Sequence, residues 1–228
     1  MIKVGVGGAG GRMGRLIVQV LEEDPKTECV AKINRSNPLQ SLSDPLDILI
    51  DFSTPDATIN HLKLCIERGC PMVIGVTGFS LEQKKQIEQA SKYIPIVFSP
   101  NMSIGINLCF KLLEQAAKAL KGNEGNIDVA IQDVHHKQKK DAPSGTALRM
   151  GEIVANGLGT NLNTDIGFTS SRVGDVMGDH TVLFALEGER IEITHRSQSR
   201  MIYAKGAVQA AKWLMDKSLG LYTMQDIL

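Results

Sequence analysis

Short apolar runs alternate with helix-forming stretches through the first hundred residues, the order expected of a parallel sheet wrapped by helices. The runs at 2–7, 28–33, 47–52, 72–75 and 96–98 read as strands. Helix starts between them are written in the chemistry. Thr54 ahead of Pro55 puts a capping hydroxyl before a proline at the first helical position, and Ser80-Leu81-Glu82-Gln83 has the spacing of a capping box. Residues 36–44 are polar, contain Pro38 and show no helical period, which predicts a short loop in place of a full crossover helix between the second and third strands.

The pattern changes after Asn101. An amphipathic helix over 105–120 precedes a strand at 127–134, a loop rich in histidine and lysine, and a helix over 144–158. Strands follow at 166–172, 181–186 and 190–195, the last two joined across Glu187-Gly188-Glu189, a turn of hairpin length. A final helix over 201–217 carries Ala204, Val208, Ala211 and Leu214 at helical spacing and is expected to pack back on the first half. The reading is an α/β chain: a Rossmann-type, doubly wound parallel sheet, then an α+β domain with an open mixed sheet, one face of which is expected to be apolar and in want of cover.

Composition narrows the function. Hydrophobic residues make up 43% and charged residues 22% of 228, which is globular rather than disordered. Lysine plus arginine equals aspartate plus glutamate at 25 each, so no global basic field exists to hold nucleic acid or an anionic membrane, and any anion must be caught locally. No apolar run approaches the roughly 20 residues of a membrane span. Cys29, Cys65, Cys70 and Cys109 form no C-x-x-C pair, which suggests buried thiols in a reducing compartment; with no secretory leader at the start, a cytoplasmic location is expected.

Three places carry candidate chemistry. Gly8-Ala9-Gly10-Gly11-Arg12-Met13-Gly14-Arg15 lies between a strand and an apolar helix, where bare backbone N–H groups approach a pyrophosphate closely and the helix dipole favours its charge. The spacing is G-x-x-G-x-x-G on Gly8, Gly11 and Gly14. At the end of the second strand, where a carboxylate usually holds the ribose hydroxyls, stand Asn34 and Arg35. Asparagine bonds a hydroxyl without repelling a 2′-phosphate and arginine pairs with one, so NADPH is expected to be accepted at least as well as NADH. The densest polar stretch runs from His135 to Thr146: two histidines and three lysines, then Pro143-Ser144-Gly145-Thr146, hydroxyls and amides at a helix start that make an anion cradle. A small polyanion fits it. No aromatic residues interleave for nucleic acid, and adjacent His135 and His136 diverge in direction with no metal-ligand spacing after them.

The glycine loop, Val73-Ile74-Gly75-Val76-Thr77-Gly78-Phe79 and above all His135-His136-x-x-Lys139-x-Asp141-Ala142-Pro143-Ser144-Gly145-Thr146-Ala147 resemble the 4-hydroxy-tetrahydrodipicolinate (dihydrodipicolinate) reductase family of lysine and diaminopimelate synthesis. Shorter matches, including Asp51-Phe52-Ser53-x-Pro55 and Gly174-Asp175-x-x-Gly178-x-His180-Thr181, extend the likeness end to end. The resemblance implies a cofactor domain of residues 1–103 and 200–228, and a substrate and homotetramer-forming domain of 104–199. It implies NADPH or NADH bound by Gly8, Ala9, Gly10, Gly11, Arg12 and Met13, with Asn34 and Arg35 at the ribose and Gly75, Val76, Thr77, Ser99, Pro100, Asn101 and Met102 on the nicotinamide side. It places acid–base chemistry on His135 and Lys139, and a small dicarboxylate substrate on His136, Ser144, Gly145 and Thr146. Lys139, set among cations, is expected to be the general acid that protonates the ring after hydride arrives.

The chain departs from the family at Asn34, where an acidic residue is frequent, and in shorter loops after the second strand and near Asn163. Two other readings stand beside this one. One is a different two-domain nicotinamide oxidoreductase, such as an aspartate dehydrogenase-like enzyme; the other is a non-catalytic nucleotide-sensing protein, which predicts cofactor binding without turnover.

Overall fold

The apolar runs of the first half pair side by side into one six-stranded sheet in a computed structural model that describes residues 1–39, 45–122 and 127–228. The chain divides into two units, Met1–Ile104 with Arg200–Leu228, and Gly105–Ser199. In the first, β1 (Ile2–Gly7), β2 (Thr27–Ile33), β3 (Ile48–Asp51), β4 (Met72–Ile74), β5 (Pro95–Phe98) and β10 (Gly220–Tyr222) are all parallel, in the order β10-β5-β4-β3-β1-β2. Every residue of β3 and β4 is buried, as it must be when helices cover both faces. One face packs on α1 (Arg12–Glu23) and α7 (Met201–Leu214) through Ile17, Leu21, Val208 and Leu214. The other packs on α2 (Pro55–Arg68) and α3 (Leu81–Ala90) through Leu62 and Ile87. The chain leaves β1 to one side for β2 and returns to the other for β3, so the crevice past the ends of β1 and β3 is the switch point where such sheets bind ligands.

The helix starts follow from their caps. The Thr54 hydroxyl accepts the Ala57 N–H at 3.4 Å, and Ser80 and Gln83 close a reciprocal capping box. After β2 the chain turns on Asn34, whose backbone bonds Asn37 in both directions. The rest of the expected loop, residues 40–44, lies outside the described residues. Helix α7 presses its backbone onto the segment before α4: a methyl built at Gly206 would stand 1.7 Å from the Met102 carbonyl oxygen.

In the second unit, β6 (Asp128–His135), β7 (Ile166–Arg172), β8 (Gly178–Leu186) and β9 (Glu189–Ser197) form a mixed sheet ordered β7-β6-β8-β9, parallel between β6 and β7 and antiparallel elsewhere. The helices α4 (Ile104–Leu120) and α5 (Gly145–Leu158) share one core with it, in which Phe110, Leu113, Val154 and Leu158 meet Ile131, Val182 and Phe184. By strand alternation the opposite face carries Gln132, Thr181, Leu183, Ala185 and Thr194, with the two threonine hydroxyls 3.0 Å apart. The expected apolar face is therefore mixed. The one-turn helix α6 (Leu162–Asp165) and the three-residue β10 were not expected, and Cys29 is half-buried where a buried thiol was expected; Cys65, Cys70 and Cys109 are buried.

Gly206→Ala should destabilise the first unit by about 1–3 kcal/mol because a helix backbone must move off a carbonyl. Gly167→Ala, whose methyl would meet only the Val129 carbonyl oxygen at 3.7 Å, should stay within about 0.5 kcal/mol of the parent. Paired urea denaturation curves measure both.

Candidate functional site

The glycine loop is shaped by contacts that leave no room for side chains. Gly8 has φ +73° and lies against the chain after β3, where a Cβ would come within 2.7 Å of the Phe52 carbonyl oxygen. At Gly14 a Cβ would stand 2.2 Å from the Gly8 carbonyl oxygen, so α1 begins directly on the loop. The amides of Gly8 and Ala9 donate to the Ile33 carbonyl, and that of Gly11 to Gly8. The turn thus leaves the amides of Gly10, Arg12 and Met13 for a ligand, and a Cβ at Gly10 would meet nothing within 4 Å. Helix α1 starts on Gly11 with no side-chain cap and no acidic residue in its first turn, so its positive dipole end has no internal anion.

This loop forms one wall of a cavity of about 680 Å³ that also takes in Asn34, Arg35, Phe52, Ser53 and His61. Asn34 is already employed: its Oδ1 accepts from the amides of Ser36 and Asn37 at 2.9 and 3.0 Å. The asparagine builds the turn through its carbonyl oxygen, which leaves its amide nitrogen for a hydroxyl. Arg35 is exposed at the rim. The opposite wall rests on buried Asp51, which accepts from the Ser53 amide at 2.9 Å and bonds His61 Nδ1 at 3.0 Å. A second cavity of about 310 Å³ in the same unit is lined by Met13, Phe52, Gly75, Pro100, Asn101, Met102, Arg200 and Tyr203. Gly75 is there because a Cβ would run into the Phe52 ring at 2.1 Å. Val76 and Ser99 are buried, Thr77 is exposed, and the Ser99 hydroxyl donates to the Asn101 carbonyl at 3.1 Å. Phe52, His61, Arg200 and Tyr203 were not singled out from sequence as site residues; only the Asp51-Phe52-Ser53 motif pointed toward them.

In the second unit the histidine and lysine loop begins and ends on one carboxylate. Asp133, 1% exposed, bonds His135 Nδ1 at 2.9 Å and accepts the Ser144 amide at 3.1 Å, the Ser170 hydroxyl at 2.7 Å and Arg172 Nη1 at 2.8 Å. Arg172 also bonds the Asp141 carbonyl, and the Asp141 side chain pairs with Lys139 Nζ at 2.9 Å. Lys139 therefore has an anion beside it, which corrects the expectation of a purely cationic setting. Ser144 is 2% exposed; its hydroxyl caps α5 through the Ala147 amide at 3.2 Å and meets His180 Nε2 at 3.0 Å. That makes Ser144 a support for the cradle, with Gly145 and Thr146 in the first turn above it. His136 is half-buried with Nδ1 enclosed and without a partner.

Burial governs the electrostatics. It pulls the Asp133 carboxyl upward, but the bonds from Ser170, Ser144, Arg172 and His135 outweigh it and hold the group below the usual range. Burial pushes His135 down, opposed by its bond to Asp133 and aided by the charge of Lys139. His180 is carried down to about 4 by burial, then by its neighbour His135, whose ring lies 5.0 Å away edge-on. His195, across the ladder from His180, is lowered by burial as well. Among the described residues no cluster of three or more histidine, cysteine or acidic side chains could hold a metal, and no helix is long and apolar enough to cross a membrane.

Comparison with known proteins gives one consistent answer. A family model for the N-terminus of dihydrodipicolinate reductase matches residues 2–102, and one for its C-terminus matches 105–228. A 4-hydroxy-tetrahydrodipicolinate reductase of Methylococcus capsulatus is 44% identical over 267 residues, covering 100% of this chain and 98% of that protein. A dipicolinate-bound dihydrodipicolinate reductase from Paenisporosarcina superposes with a TM-score of 0.83 at 25% identity over 100% of both chains. An aspartate dehydrogenase from Thermotoga maritima, at 12% identity and a TM-score of 0.50 over 96% of this chain and 98% of that one, shares the fold alone.

The buried histidines make stability fall in acid. A group kept neutral in the fold with its pKa near 4 contributes stability in full above the ordinary histidine value of about 6.5 and loses it as pH falls from there toward 4. Asp133 extends the loss below about pH 4, where its carboxylate takes a proton. His180→Gln, which keeps a partner for Ser144, should flatten the pH 6.5-to-4 part of the profile in urea titrations.

Proposed function

The chain belongs to the dihydrodipicolinate reductase family and is the oxidoreductase that reduces 4-hydroxy-tetrahydrodipicolinate in lysine biosynthesis; from that premise we propose how its residues share the work. The cofactor is a nicotinamide nucleotide. The first unit fits one: a cavity of about 680 Å³, a glycine loop whose close backbone approach leaves no room for a side chain at Gly8 or Gly14, and an uncapped helix start. Gly10, Arg12 and Met13 take the phosphates by their amides, Arg35 and the Asn34 amide group face the ribose, and Gly75, Val76, Thr77 and the 99–102 segment border the nicotinamide side. Arg35 offers charge to a 2′-phosphate where a carboxylate would repel it, so NADPH is used at least as well as NADH.

A reduced nicotinamide supplies the hydride when bound; the second unit handles the diacid and the protons. The observation that supports this is the loop pinned at both ends on Asp133, which bonds His135 at its start and the Ser144 amide that leads into α5 at its end. One substrate carboxylate sits on Gly145 and Thr146 at that helix start, with His136 adding a charge-assisted bond. Lys139 donates the proton that quenches the carbanion left by hydride addition to the ring, and its ion pair with Asp141 holds its side chain in place on the loop. We also propose assembly as a homotetramer in the cytoplasm, with the mixed face of the second unit's sheet as the surface for subunit contact.

Absorbance of NADPH and NADH, followed with freshly generated hydroxy-tetrahydrodipicolinate, tests the whole reading; cofactor binding without turnover would end it. Lys139→Ala should lower kcat by about 100- to 10,000-fold with cofactor affinity nearly intact. Arg35→Ala should weaken NADPH use relative to NADH, and an unmoved ratio removes the arginine from the assignment.

A further inference from the structure

One buried carboxylate is not used by that proton transfer, yet both ends of the loop bond to it. Asp133 has four partners, and only one of them, His135 Nδ1, has a choice of protonation. The Ser144 amide, the Ser170 hydroxyl and the Arg172 guanidinium all donate. An ionised carboxylate can only accept, so the imidazole must present an N–H at Nδ1, and in a neutral ring Nε2 is then bare. The side of the ring at Nε2 has been kept clear. A Cβ at Gly178 would stand 3.0 Å from Nε2, so the glycine leaves space for a ligand atom where any other residue would fill it.

We propose that Asp133 is a positioning residue that fixes His135 as the Nδ1–H tautomer and thereby makes Nε2 the proton acceptor of the reaction. The proposal rests on the reductase reading and divides its proton chemistry: His135 receives and Lys139 gives. As the substrate loses its hydroxyl, a ring C–H proton passes to Nε2, the C–O bond breaks, and the hydroxyl leaves as water with that proton. Lys139 then protonates the ring after hydride addition and regains its proton from solvent. While Nε2 holds the proton, the imidazolium lies 2.9 Å from a carboxylate, which offsets the cost of a cation in a buried place. The charged and titratable groups around His135 are Asp133 on its own strand, Arg172 on β7, Lys139 on the loop and the His180 ring on β8. Asp133 is the anion that bonds the ring directly.

The direct test is the 15N spectrum of the His135 ring in the unsubstituted protein at neutral pH. A protonated Nδ1 and a bare Nε2 are expected; a protonated Nε2 in the neutral ring overturns the proposal. The kinetic test is Asp133→Asn, which keeps the shape and removes the charge. kcat should fall by at least about tenfold with cofactor affinity unchanged. The acid limb of kcat/KM should also move to lower pH, because the carboxylate raises the ring's hold on a proton and its loss lowers it. A purely structural Asp133 would lower the amplitude at every pH and leave the limb where it was, and that result also overturns the proposal. If the variant fails to fold, the ring spectrum still decides. An unsubstituted chain that does not turn over the substrate would count against the reductase reading, and the tautomer would be judged separately.

Discussion

A single carboxylate taken out of water sets the terms for the second unit. Burying Asp133 without partners would cost several kcal/mol, and the fold meets that cost with four hydrogen bonds drawn from a neighbouring strand, a histidine two residues on and the start of a helix. Because those partners lie far apart in sequence, satisfying the charge also brings the two ends of the loop together. The loop is polar and solvated over most of its length, and its own composition holds no reason to take one shape. Its order is imposed by the need of a group beneath it.

The first unit reaches its site by the opposite means. There the decisive positions have no side chain at all: Gly8, Gly14 and Gly75 each lie where an added carbon would strike backbone or an aromatic ring within 3 Å. Close backbone approach presents amides at the start of α1 and leaves the pocket floor bare. One half of the molecule is organised by steric exclusion and the other by desolvated charge. The two halves respond differently to solution conditions: the glycine contacts are indifferent to pH, and the histidine network is not.

Much of this was legible in the sequence, for identifiable reasons. The strands at 2–7 and 166–172 and the caps at Thr54 and Ser80 carry local signals, and the structure places them as expected. The short β10 was missed because three residues cannot display a period, and it exists only because β5 offers an open edge. Asn34 drew notice by its position at the end of a strand, but that its carbonyl oxygen also closes a turn, a second habit of asparagine, is something position alone does not show. The histidine and lysine loop announced itself by composition, but Asp133, Arg172 and His180 did not: Arg172 and His180 come from other strands and Asp133 lies within an ordinary amphipathic strand, so their convergence belongs to the sheet register.

The interruption of the first unit by residues 105–199 has a consequence for biosynthesis. Leu221 pairs beside Ile96, and α7 covers Val97 and Met102, so the sheet made first waits for segments made last. At about 5–20 residues per second the ribosome needs roughly 6–25 s to go from Ile104 to Leu228, and during that time an apolar sheet face and an open strand edge are uncovered on the nascent polypeptide. The inserted unit is contiguous and can close as soon as it emerges. The nascent chain is therefore exposed to aggregation through the sheet of the first unit until residues 200–228 have been made.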